Sequence, residues 1–157
     1  VTKKDILIQR ITALSEANEW LFAKDEWELY YVWESDEPMT CLCTHFPIIE
    51  ICEVRNTQNG NKATVGNCCV KHFLGLPSHR IFAAVKRVRK DLSTAFNPAT
   101  LKHAYKRGWI DDWQLGFSLG TWRRRNLSVC QLAQRKKINL RILRMLSRDK
   151  EQAHGTA

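Results

Sequence analysis

The chain has no run of 18 consecutive apolar residues, which excludes a membrane-spanning helix of ordinary composition. It has no internal repeat and no low-complexity segment, which excludes solenoid and array architectures. Glycine is sparse, at 7 residues of 157, and none of it forms a loop that could cradle a phosphate. No paired-carboxylate site is visible, and no His/Asp/Ser set converges in sequence, so an enzyme is not expected. The start, Val1-Thr2-Lys3-Lys4-Asp5, leads into an amphipathic stretch rather than a signal peptide. The expected compartment is therefore a reducing cytoplasm, where clustered cysteines hold metal more often than they pair.

Acidic residues are scarce in one half only. Residues 1–75 carry 7 Lys/Arg against 11 Asp/Glu, whereas residues 76–157 carry 18 against 5. A solvated basic surface accounts for this at no cost, and an acidic protein partner would fit it too. A nucleic-acid-binding half fits it as well, because neutralising phosphates releases counterions.

What is present suffices for one domain, or one core with a small appended module, since 157 residues with 44% apolar can bury a real core. A helix is expected over residues 2–17, with Thr2 and Asp5 as a capping box and Leu7, Ile11 and Leu14 at helical spacing. Residues 27–33, WELYYVW, alternate as a strand that Ser35-Asp36-Glu37-Pro38 should end. Exposed aromatics are expected there and nearby: Trp20, Trp27, Tyr30 and Trp33. Ile48 to Arg55 and Lys62 to Val65 read as strands about an Asn59-Gly60 turn.

The rest reads as helices. One follows Ser78, with Ile81, Phe82, Val85, Val88 and Leu92 apolar and Arg80, Lys86, Arg87, Arg89 and Lys90 opposite. A second starts at Asn97-Pro98 and ends near Gly108. A third covers 110–124, with Ile110, Trp113, Phe117 and Thr121 on one face. The last opens on a Ser128/Gln131 capping box with Leu127 and Leu132 as a hydrophobic staple. It runs to about 147 on Leu132, Ile138, Ile142, Met145 and Leu146, and a frayed tail is expected over 148–157. The last stretch also admits a helix-turn-helix, although Lys137 stands where the turn wants Gly and Lys136 where an apolar residue is usual. A single helix satisfies every position.

Five of the six cysteines fall within residues 41–69. Cys41-x-Cys43 is a tight pair, a hairpin follows, and Cys69-x-x-His72 would sit on the first turn of a helix. Thiol pair, hairpin and helix-borne pair make the layout of a treble-clef zinc module. Cys41, Cys43, Cys69 and His72 are its expected ligands, with zinc as the cofactor. His45 could stand in for His72, and Cys68 for Cys69. The first pair departs from the usual knuckle, which has two residues between its ligands. Adjacent or near-adjacent cysteines bridge poorly, so a disulfide framework is not expected. Cys52 is expected in the core mid-strand, and Cys130 as a small buried apolar residue.

The stretch C-x-C…I…EVRN…NG…VGNCCV..F resembles small zinc-binding proteins encoded by bacteriophages and other mobile elements. The later stretch GW…TWRRRNLS..QLAQR..IN.RIL resembles the ends of such proteins. The resemblance covers about two thirds of the chain. It implies a bacterial host cytoplasm and work around nucleic acid or host DNA enzymes, but no reaction. HNH-type nucleases share the treble-clef core. They carry a catalytic His near the end of the first hairpin strand, where this chain has Glu53-Val54-Arg55-Asn56. Asn56, Asn59 and His72 keep that reading as an outside alternative.

The expected fold is α+β. A small antiparallel zinc-stabilised sheet with an N-terminal helix occupies residues 1–75, and a basic helical region occupies 76–147. The expected function is non-enzymatic binding of nucleic acid, DNA before RNA, through Arg123, Arg124, Arg125, Arg135, Lys136, Lys137, Arg141 and Arg144. Arg is the better phosphate grip because its guanidinium binds bidentately. Trp109, Trp113 and Trp122 are expected as core anchors, with base stacking as their other use. The alternative is an adaptor or inhibitor docking on a host nucleic-acid-processing protein.

Overall fold

The computed structural model describes the backbone of residues 1–155 and the side chains of residues 1–146. The chain forms a mixed α+β structure in two compact units, one built on Val1–His79 and the other on Arg80–Arg148.

In the first unit, helix α1 spans Lys3–Ala13. Its start is fixed by a reciprocal cap: the Asp5 N–H donates to Thr2 Oγ1 (3.1 Å), and the Thr2 N–H donates to the Asp5 carboxylate (2.9 Å). Such a cap contributes about 1 kcal/mol. Leu7 and Ile11 are fully buried. The helix stops at Leu14, whose carbonyl accepts from the side chains of Asn59 (3.0 Å) and Asn61 (2.8 Å) on the hairpin tip. These donors satisfy a carbonyl that the helix end leaves open. A short helix α2, Trp20–Ala23, and a 3₁₀ turn, Lys24–Glu26, lead into the sheet.

Three antiparallel strands follow in the order β1-β2-β3: Trp27–Met39, Ile48–Asn56 and Lys62–Gly66. The register sets Val32 opposite Cys52 and Val54 opposite Ala63. Ser35-Asp36-Glu37-Pro38 does not end β1. The strand passes through it with a register shift between Glu34 and Met39. β1 is an edge strand, where a proline without an N–H costs no ladder bond. Trp27 and Trp33 are buried rather than exposed, and Trp20 and Tyr30 are half-buried. Burial of Trp27 is tolerated because its indole N–H donates to Ser15 Oγ (2.8 Å). At the hairpin, Gly60 takes φ +76°, and Asn56 Oδ1 accepts from the N–H groups of Gln58 and Asn59.

After β3 come a single helical turn, α3 (Asn67–Cys69), and a π turn, Val70–Leu74. Helix α4, Ser78–Lys90, buries Ile81, Phe82, Val85 and Val88.

In the second unit, Asn97 caps helix α5 (Pro98–Lys106) by accepting the Thr100 N–H at 3.0 Å. Helix α6 is Asp112–Thr121, shorter than expected, because Asp111 and Gln114 form a capping box at its start. Ile110 therefore precedes the helix, and the stripe phased from it breaks. Ile110 and Thr121 are buried, but Trp113 is 61% exposed and stacks on Phe117 at 5.4 Å.

Helix α7 is continuous over Val129–Gly155, so the helix-turn-helix alternative is not the structure adopted. Ser128 and Gln131 cap it reciprocally. It continues past the end expected near 147, and of the expected tail residues 156 and 157 lie outside the described residues. Ile138, Ile142 and Leu146 form its buried stripe, joined by Arg135 and Asn139. Cys130, expected in the core, is exposed on the first turn.

Candidate metal centre and basic face

The β1–β2 connection carries the first two thiols. The Cys41 N–H donates to the His45 carbonyl (2.9 Å) and the Thr44 N–H to the Cys41 carbonyl (2.8 Å), curling the chain into a knuckle. Thr44 takes φ +77°, a left-handed conformation that costs a β-branched residue energy. The loop is tied down on two sides. The Leu42 N–H donates to the Thr64 carbonyl (3.1 Å) on β3, and Arg10 of α1 donates to the Leu42 carbonyl (2.9 Å). This bracing accommodates the one-residue spacing of Cys41 and Cys43.

The third thiol comes from α3. The Sγ atoms of Cys41, Cys43 and Cys69 all lie within 4.8 Å of one another, so they could hold a metal ion. Thiolates about 2.3 Å from one tetrahedral ion would stand roughly 3.8 Å apart, so little movement is needed. Backbone donors already point at the sulfurs: the Gly66 N–H at Cys41 Sγ (3.2 Å) and the His45 N–H at Cys43 Sγ (3.4 Å). Gly66 has a steric reason as well, since a Cβ there would stand 3.2 Å from Ile48 Cγ2 and 3.8 Å from Cys41 Sγ.

Cys41 and Cys43 are 2% exposed and Cys69 is half-buried. A hydrogen bond from the Cys69 thiol draws the Cys41 thiol well below its ordinary range, and Cys69, which keeps the shared proton, is pushed up. Cys52 lies on β2 in the core, as expected, and burial pushes its thiol up to about 12. Cys68 is exposed, and none of the cysteines is in a disulfide.

His72 is not brought to the cluster. It is exposed on the π turn, its ring 6.4 Å from that of Phe73. Sequence spacing assumed an α-helical turn. The wider π turn rotates the residue three positions after Cys69 off the face that Cys69 occupies. His45 is exposed beside the thiols, and its Nδ1 lies 3.0 Å from Lys3 Nζ. Both line a cleft of about 520 Å³ over the cluster, with Ile48, Ile49, Asn67 and Cys68 among its other walls. Asn56 and Asn59, named with His72 for the nuclease alternative, make hydrogen bonds within the fold. Asn56 is 1% exposed, its side chain donating to Glu26 (2.9 Å), and the Asn59 side chain donates to the end of α1.

The basic residues divide into two groups. Arg123, Arg124, Arg125, Lys136, Lys137, Arg141 and Arg144 are exposed. Arg123 lies over the ring of Trp122 at 4.8 Å. Lys137, Arg141 and Arg144 line a recess of about 290 Å³ with Gln114 and Leu140. The Arg141 Nε–H donates to the Trp109 carbonyl (2.6 Å), which holds its guanidinium in place.

Arg135 is different. It is 8% exposed and donates to the carbonyls of Thr121 (2.6 Å), Ser93 (3.2 Å) and Arg124 (3.5 Å). It was expected at phosphates, but it stands four residues before Asn139 and three before Ile138 on the buried stripe. Trp109 is a core anchor, in edge contact with buried His103 at 5.5 Å. The recess was readable in sequence as Lys137, Arg141 and Arg144 at i, i+4, i+7. Gln114 and Lys3 carried no such signal.

No family model matches the chain, and neither a curated protein nor a solved structure matches it, so no family is shown for it. No helix among the described residues is long and apolar enough to cross a membrane.

Proposed function

We propose that this is a zinc-bearing, non-enzymatic nucleic-acid-binding protein, with DNA as its first target. Zinc is the metal that three clustered thiolates with backbone N–H support suit best, and at the braced knuckle it would tie the β1–β2 connection to α3.

The observation that carries the binding half is the charge of residues 80–148. They hold 17 Lys/Arg against 3 Asp/Glu, with the recess of Lys137, Arg141 and Arg144 on one exposed face. Contacts of this kind go to phosphates and give affinity with little sequence readout.

Fluorescence anisotropy with a labelled duplex over a range of salt concentrations tests it. Affinity should fall steeply and linearly on a log–log plot, and sequence should matter little. Binding that is absent at low salt removes this reading.

A second reading, docking on a nucleic-acid-processing protein, is favoured by Leu21 and Phe22, which stand 66% and 65% exposed on α2. It predicts a complex that tolerates salt and is lost in Leu21→Ser/Phe22→Ser.

A further inference from the structure

Zinc, the metal of the reading above, takes four ligands in a tetrahedron, and this cluster supplies three. Among the described residues no other Cys, His, Asp or Glu joins the group. The nearest candidates in sequence are directed elsewhere. Cys68 precedes Cys69 on the same helical turn, so its side chain diverges from that of Cys69 by about 100° and faces water. His72 is carried off by the π turn. The imidazole of His45 is turned to Lys3, while its backbone N–H serves Cys43. A closed structural site would bury its fourth ligand, but here a cleft of about 520 Å³ lies over the sulfurs.

We propose that Cys41, Cys43 and Cys69 form a three-thiolate metal centre whose fourth position opens on this cleft and takes an exchangeable ligand from solution. The ligand class is a monodentate sulfur or nitrogen donor, a thiol or an imidazole group. Water holds the position otherwise. An incoming thiol gives its proton to solvent, forms the sulfur–metal bond and displaces that water. Three thiolates on a divalent ion leave one net negative charge, and a fourth thiolate adds another. Lys3 at the cleft offsets it, and Ile48 and Ile49 offer an apolar wall to the carbon body of the ligand.

The inference rests on the metal reading, and one experiment separates the two. The reduced full chain is loaded with one equivalent of cobalt(II) and its visible spectrum recorded. 2-Mercaptoethanol or imidazole is then titrated in. The expected starting spectrum is that of three thiolates. It should be unchanged in His45→Ala, His72→Ala and Cys68→Ser, reduced by one thiolate in Cys69→Ser, and shifted saturably by either added ligand. A starting spectrum altered by His45→Ala, His72→Ala or Cys68→Ser means that the protein fills its own fourth position. That outcome overturns the inference and leaves the metal reading standing, and so does the absence of any response to added ligand. Failure of the chain to take up cobalt or zinc overturns both.

Discussion

Glu26 and Arg135 are buried charges held by backbone partners. The Glu26 carboxylate is 4% exposed and accepts the N–H groups of Glu16 and Ala17 (2.8 Å each) and the Asn56 amide (2.9 Å). The Asn56 bond leads in holding its pKa below the ordinary value of 4.5. A carboxylate with a depressed folded pKa contributes stability that is present above the unfolded pKa and lost as pH falls through the folded one. Glu26→Gln sets an amide donor against one of the backbone N–H groups. It should lower the melting temperature at pH 7, with the gap to the parent protein closing below about pH 4.5. Arg135→Ala strands carbonyls in the interior of the helical unit and should cost about 2–3 kcal/mol in urea unfolding. It should leave the salt slope of DNA binding unchanged, whereas a phosphate contact would lower it. At this scale the sequence announced the three thiols by their spacing and hid Arg135. An arginine on a buried stripe looks like any other basic residue until the carbonyls it serves are known.

At the scale of elements, local chemistry was easy to read. The Thr2/Asp5 and Ser128/Gln131 boxes, the Asn97-Pro98 start and the Asn59-Gly60 turn all stand where their short-range bonds put them. Errors arose where a neighbouring element or an unusual turn decided. The Asp111/Gln114 box shortened α6 and put Trp113 in solvent, an edge position let β1 run through Pro38, and a π turn displaced His72. The i, i+4, i+7 face of α7 gives the sharpest test. Lys137→Ala and Arg144→Ala should each lower the slope of log affinity against log salt by about 1, roughly alike for unrelated duplex sequences. The outcome that counts against the face is a variant that weakens binding without changing the slope.

Over the whole molecule, charge and burial together set the response to acid. His103 is 7% exposed against Trp109, and burial, with Arg107 and Lys106 adding to it, lowers its pKa to about 3. A histidine kept neutral in the fold contributes stability that is complete above its unfolded value of 6.5 and is lost as pH falls below it. The melting temperature should therefore begin to drop near pH 6.5, well before the loss due to Glu26, and His103→Gln should remove that first decline. The partition of charge was readable from composition alone. The pH dependence was not, because it comes from which histidine the fold encloses.

Two of the cysteines face water, and each belongs to a different unit: Cys68 to the first and Cys130 to the second. Cys52 is shielded, and a bound metal would occupy the other three. The native chain thus supplies a pair of labelling points without any engineered residue. Donor and acceptor dyes, or two nitroxides, attached to the metal-loaded protein would form a ruler between the sheet unit and the helical unit. Read with and without duplex, that distance tells whether nucleic acid reorients one unit against the other.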